Sequence, residues 1–132
     1  MKLNFFYIFC ILFLFSIISN NAFGKKIPNL IGVWKGENIQ SSIKKGYSRN
    51  QNTIEIIEQK NRVFKGFVVH KGGKEEFVGV IRANGTDFYW VDSSDDDGKV
   101  IGEILKKNKI ESCYLDSGRD AIAGCSVLKR EK

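Results

Sequence analysis

The sequence contains one proline and one histidine, and after its first two dozen residues it has no helical period of useful length. Each scarcity excludes something. A lone histidine, His70, rules out a metal centre built on two imidazoles. Without a helical period the domain is all-β. The acids, the histidine and the hydroxyls form no recognisable set of nucleophile, base and orienting group, so no catalytic residues are assigned and the chain reads as a binder and not an enzyme. Basic residues are interspersed with acids and aromatics are sparse among them, which excludes a nucleic-acid surface. Neither a metal nor a cofactor is expected.

One long hydrophobic run is present, in residues 1–24. Lys2 supplies a positive start, and residues 3–18 are almost wholly apolar. Ser19, Asn20 and Asn21 form a polar exit, and Ala22 and Gly24 put small residues at the −3 and −1 positions of a cleavage site. This is the pattern of a secretory signal peptide, too short for the ~20 residues of a spanning helix. Cleavage leaves residues 25–132 as one domain with no stable membrane anchor, either periplasmic or secreted. It also lowers the net charge from +6 to +5. That balance permits attraction to anionic surfaces.

Cys10 falls in the leader, which leaves Cys113 and Cys125 in an exported chain. A hairpin folded about Arg119 sets them directly opposite each other. A bridge between them closes a short loop and contributes about 2–3 kcal/mol; the alternative is a pair of free buried thiols.

Turn signals recur about every ten residues. Strands are expected at about 30–39, 53–58, 63–70, 75–81, 87–91, 99–105, 109–115 and 121–130, with residues 40–52 as the longest irregular stretch. Asn84-Gly85 is a strong hairpin signal. Every connection is short enough for an antiparallel hairpin. The expected fold is therefore an eight-stranded antiparallel up-and-down meander β-barrel, which removes exposed sheet edges. The connections near Gln40, Lys71, Asp92 and Asp116 read as longer than those near Lys60, Asn84 and Lys107. One barrel end then carries long loops, the favoured place for binding residues.

Period-two parity assigns the inside. If Trp34 points inward, so do Gly32, Gly36 and Asn38; in the last strand Ile122, Gly124, Ser126, Leu128 and Arg130 share a face. Placing Glu111 in water turns Ile110, Ser112 and Tyr114 inward and Cys113 outward, on the same side as Cys125.

Gly32-x-Trp34 early in the first strand and Arg130 late in the last resemble the calycin-type barrel of lipocalins, fatty-acid-binding proteins and avidins. The resemblance implies that Arg130 packs over Trp34 beside Gly32 and closes one end of the barrel. The chain also resembles small uncharacterised exported bacterial proteins, through Gly79-Val80-Ile81, Val91-Asp92, Cys113-Tyr114 and a terminal Leu-x-Arg. Only Trp34 and Trp90 are available to match the tryptophans of avidins, so biotin is not the expected ligand.

The first loop carries Lys44, Lys45, Tyr47 and Arg49, a set suited to holding an anionic or amphipathic molecule at a barrel mouth. His70 lies at a strand end near Glu75 and Glu76, and Trp90 and Tyr114 are candidate wall residues. Residues 92–98 are spaced like the first half of an EF-hand loop, but Ile104 stands where its closing Glu belongs. The expected function is binding of a small amphipathic or acidic ligand at the long-loop end. The alternative is a protein-interaction module, an inhibitor or envelope accessory factor with a side-chain-filled barrel, whose partner is an envelope or extracellular protein.

Overall fold

Where inward apolar and outward polar residues alternate, the chain forms strands. The structure, a computed structural model, describes residues 26–70, 73–93 and 97–132. The proposed leader, residues 1–24, lies outside them. Eight strands run in order: β1 (Gly32–Ser42), β2 (Gly46–Lys60), β3 (Val63–His70), β4 (Gly73–Ile81), β5 (Asp87–Asp92), β6 (Lys99–Lys106), β7 (Lys109–Asp116) and β8 (Ile122–Arg130). Each pairs antiparallel with its neighbours, and β8 returns to β1, so the meander closes as a barrel. Asn61, at φ 58°, turns β2 into β3. In the β4–β5 turn the Asn84 side-chain oxygen accepts from the Thr86 and Asp87 N–H groups, each at 3.1 Å.

The inward parity holds on every strand for which it is expected. Trp34 is fully buried, Ile110, Ser112, Ser126 and Leu128 are at most 4% exposed, and Cys113 stands directly opposite Cys125 with a Cα–Cα distance of 4.0 Å. The two cysteines form a disulfide on the outer face.

The first hairpin corrects the expected boundaries. Residues 40–52 are not irregular: β1 continues to Ser42 and β2 begins at Gly46, leaving only 43–45 as a turn. Ser, Asn, Gln and Gly fill this stretch because the barrel interior is polar at that height. No apolar alternation marks it as strand, yet cross-strand pairing continues without a break from Trp34–Ile54 to Ser42–Gly46. The contrast in loop length between the two ends fails with it, since the turn at 82–86 spans as many residues as the connection at 117–121. What distinguishes the ends is their interior.

At the end where β1 begins, the barrel is filled. Phe64, Phe77, Phe88 and Trp90 are each at most 3% exposed. Phe64 meets Phe77, Phe88 and Trp90 edge-on, with centroids 6.1–6.4 Å apart. Phe77 and Phe88 stack on the two sides of the Trp90 indole, at 4.7 and 5.4 Å. Each phenylalanine in this cluster faces a glycine on a neighbouring strand: Phe64 faces Gly79, Phe77 faces Gly66 and Phe88 faces Gly102. A Cβ on Gly102 would lie 2.0 Å from the Phe88 ring. The glycines are therefore the space the rings occupy. Burying each ring contributes about 2–3 kcal/mol.

Below the rings, Arg130 lies over the Trp34 face, 4.4 Å from guanidinium carbon to ring centroid. The Trp34 indole N–H donates to Leu30 O at 2.8 Å, and Arg130 donates to Asn29 O. Gln59 holds the same segment, accepting from Leu30 N–H and donating to Pro28 O, each at 2.8 Å. Leu30, 1% exposed, completes the core. Burial lowers the Arg130 pKa from its usual value. Gly32, Trp34 and Arg130 thus sit together at the closed end, with the Arg130 stem 3.5 Å from where a Gly32 Cβ would be.

Candidate functional site

Above the Trp90 layer the inward residues change from aromatic to polar, and the barrel opens into a cavity of about 320 Å³. Its floor and lower wall are Ile54, Val68, Trp90 and Val100; its upper wall carries Asn38, Gln40, Asn50, Asn52, Ser112, Tyr114 and Ser126. Strand parity puts these side chains there. Register sets Asn38 opposite Asn50 and Ser112 opposite Ser126, each on the inner face. The volume is at the lower end of small-molecule sites, roughly 300–1,000 Å³.

The wall is organised by hydrogen bonds. Asn52 Nδ2 donates to Ser126 Oγ at 3.1 Å, Ser126 Oγ donates to Asn38 Oδ1 at 3.1 Å, and Asn38 Nδ2 donates to Gln40 Oε1 at 2.7 Å. This chain ties β2, β8 and β1 together and holds the amides against the cavity. At the mouth, His70 Nε2 lies 3.2 Å from Glu75 Oε1, and Asp92 also lines the cavity. Among the described residues, no lysine or arginine lines it.

Trp90 departs from this pattern of satisfied groups. Its indole nitrogen is buried and has no hydrogen-bond partner. Asp116 Oδ1 and Arg130 Nε share that condition elsewhere, but only Trp90 belongs to the cavity lining. An unpaired buried donor costs about 1–3 kcal/mol. An acceptor brought in by a ligand would recover that.

Of the residues expected at the site, His70, Trp90 and Tyr114 come together around the cavity. Lys44, Lys45, Tyr47 and Arg49 do not line it. Lys44 and Lys45 are in the turn at 43–45. Tyr47 is 89% exposed. Arg49 pairs across the strand with Ile39 and forms an exposed ion pair with Glu37 at 3.6 Å. The reason is parity: with Ile54 inward, Asn52, Asn50 and Ser48 follow it inward, and the odd-numbered residues turn out. The same count from Ile54 would have identified Asn50 and Asn52 as wall residues. Of the EF-hand-like stretch, residues 94–96 lie outside the described ones.

A second concavity, about 940 Å³, lies on the outer wall against Val78, Val80, Tyr89, Val91, Ile101 and Leu115. It is broader and largely apolar. The lumen is the stronger candidate because it combines an apolar floor with converging polar groups.

No protein-family model and no curated protein matches the chain. Among solved structures, it is similar to a redesigned β-barrel at 12% identity, with a TM-score of 0.50, covering 78% of this chain and 92% of that one. It is also similar to a de novo designed fluorescence-activating β-barrel (14% identity, TM-score 0.47, covering 76% and 93%). A third is an S-type phycobiliprotein lyase from Guillardia theta (8% identity, TM-score 0.44, covering 78% and 89%). What the first of these likenesses shows is the fold, a closed eight-stranded antiparallel barrel.

Proposed function

We propose that this barrel is an exported binding protein that holds a small amphipathic molecule in its open-end lumen and does not transform it. One observation carries the reading: a buried indole N–H without a partner, on a residue that lines a cavity whose other walls are hydrogen-bonded amides and hydroxyls. The ligand places an apolar or aromatic body against Ile54, Val68 and Trp90 and an acceptor at the Trp90 N–H. Of an amphipathic and an acidic ligand, the lining favours an amphipathic one that is neutral or cationic. Among the described residues the lining carries Glu75 and Asp92 as acids and no lysine or arginine. The outer-face disulfide fits the oxidising compartment that export supplies.

The test is to recover the protein from its own exported fraction and compare native with denatured mass. A mass excess that vanishes on denaturation is expected, and its value starts the identification. Protein that carries no excess, and gains none when offered neutral and cationic aromatic molecules, would refute the reading.

A further inference from the structure

Among the described residues, β2 pairs over a longer stretch with β1 than with β3. Pairing of β2 with β3 begins at Thr53, opposite Val69, whereas its pairing with β1 continues to Gly46, opposite Ser42. Among the described residues, nothing pairs with residues 46–52 on the side away from β1. Residues 46–51 are all exposed.

The ladder phase identifies the groups on that edge. Ile81 N–H donates to Arg62 O at 2.7 Å. In an antiparallel pair the hydrogen-bonded positions alternate. Even-numbered residues of β3 therefore turn their N–H and C=O toward β4, and odd-numbered ones turn theirs toward β2. With Val69 opposite Thr53, the odd-numbered residues of β2 face β3. Glu131 N–H donating to Val33 O at 2.8 Å gives the same phase from the other side of β1. Above Thr53, then, the N–H and C=O of Tyr47, Arg49 and Gln51 point along the sheet away from β1, in strand register, and pair with no strand among the described residues.

The edge is held in place. At the hairpin tip, Ile43 N–H donates to Ala121 O at 3.1 Å, Lys44 N–H to Asp120 Oδ1 at 2.9 Å and Lys45 N–H to Ser42 Oγ at 3.0 Å. A rigid edge is a template for another strand and loses little entropy on pairing. Charge selects the occupant. Arg49 is the midpoint of residues 46–52, so a second copy pairing edge to edge would set Arg49 against Arg49, each beside its own Glu37 at 3.6 Å, and would bring the Lys44 and Lys45 pairs of both copies to the same edge, an excess of like charge that is unfavourable. The Lys44 and Lys45 side chains have no ion pair among the described residues.

We infer that residues 46–52 of β2 accept an acidic, extended peptide segment as an added strand, antiparallel to β2 and in line with β3, with its carboxylates near Lys44, Lys45 and Arg49. This goes beyond the lumenal ligand, since it uses the main chain of the hairpin and needs no cavity.

The experiment uses the whole protein and a terminally blocked heptapeptide of alternating threonine and glutamate, with a threonine–lysine counterpart. Amide hydrogen exchange is read residue by residue. The acidic peptide is expected to slow exchange at Tyr47, Arg49 and Gln51 and to leave Ser48 and Asn50, already bonded to β1, unchanged. Arg49→Pro removes one edge donor without touching the β1 ladder, and Arg49→Thr removes only the side chain. The proline variant is expected to bind roughly fivefold more weakly than the threonine variant, the size of one hydrogen bond. Three results would overturn the inference: no added protection in the unmodified protein, equal protection by the lysine peptide, or protection that grows with protein concentration alone, which would give the edge to a second copy. Lumenal ligand retained by Arg49→Pro separates failure here from failure of the lumenal reading.

Discussion

The Arg130 guanidinium lies over the Trp34 ring at 4.4 Å, and both side chains hold the chain segment at Asn29 and Leu30 against the closed end of the barrel. The first and last strands are thereby locked to each other and to the residues that precede β1. The contact is partly desolvated, as the lowered Arg130 pKa indicates, and such cation–π pairs contribute about 1–2 kcal/mol.

Arg130→Lys is therefore not a conservative change. Lysine keeps the charge but loses the planar stack and the donor to Asn29 O. It is expected to lower stability by about 1–2 kcal/mol, or roughly 4–10 °C in Tm for a domain of this size. Arg130→Met, which keeps the apolar stem, is expected to cost as much or more. Thermal unfolding followed by tryptophan fluorescence checks both. A variant with unchanged Tm would mean that the closed end is held by Gln59 and Leu30 alone.

The disulfide is expected to stabilise without shaping the fold. Cys113 and Cys125 are 12 residues apart in sequence and bridge directly opposite positions on the outer face. Replacing both by serine is expected to reduce unfolding free energy by about 3 kcal/mol, chiefly by freeing the unfolded chain. Urea denaturation of oxidised, reduced and doubly substituted protein measures this. The folded-state spectrum should not change, because the barrel interior does not touch the bridge.

Gly102 and Phe88 offer a test of how the lower barrel is filled. Alanine at 102 would press its Cβ onto the Phe88 ring and onto Glu111 O, at 2.0 and 2.7 Å. Overpacking of this kind costs about 1–3 kcal/mol. Phe88→Leu alone is expected to destabilise by leaving space. If the two positions share that space, the double variant Gly102→Ala with Phe88→Leu is less destabilised than the sum of the singles, and a denaturation cycle reads the difference.

Much of this architecture was legible in the sequence where apolar residues mark the inner face. Trp34, Ile110, Leu128 and the cysteine pair fixed parity on three strands, and a shift by one residue would have turned Trp34 into water. The pairing of strand-embedded glycines with Phe64, Phe77 and Phe88 became visible only with cross-strand register. The upper half of β1 and β2 was not legible for a physical reason. Its inward residues line a polar lumen, so Ser48, Asn50 and Asn52 give no hydrophobic alternation and resemble a loop. The same gap misplaced the residues expected at the barrel mouth, because Tyr47 and Arg49 can be assigned a face only once the stretch is known to be strand.

The lumen itself is tested by filling it and by removing its orphaned donor. Ser112 is 4% exposed and points into the cavity from β7. Ser112→Phe would occupy much of the space beside Trp90 and Val100 and is expected to abolish any co-purifying mass excess. The fold would survive, since the ring enters an existing void and not a packed core. Trp90→Phe is the finer probe. It keeps an aromatic ring between Phe77 and Phe88, so stability is expected to fall by no more than about 2 kcal/mol, while the N–H is lost. If that N–H meets a ligand acceptor, the acceptor is left unpaired in a buried site and occupancy falls, with affinity down about tenfold or more. Native mass spectrometry on the two variants, beside urea denaturation, separates the cases. Ligand lost from both variants with the fold intact places the acceptor at Trp90. Ligand lost only from Ser112→Phe keeps the lumen as the site but moves the polar contact to the Asn38, Asn52 and Ser126 wall. A ligand retained by both would put it outside the lumen, against the outer groove beside Tyr89 and Ile101.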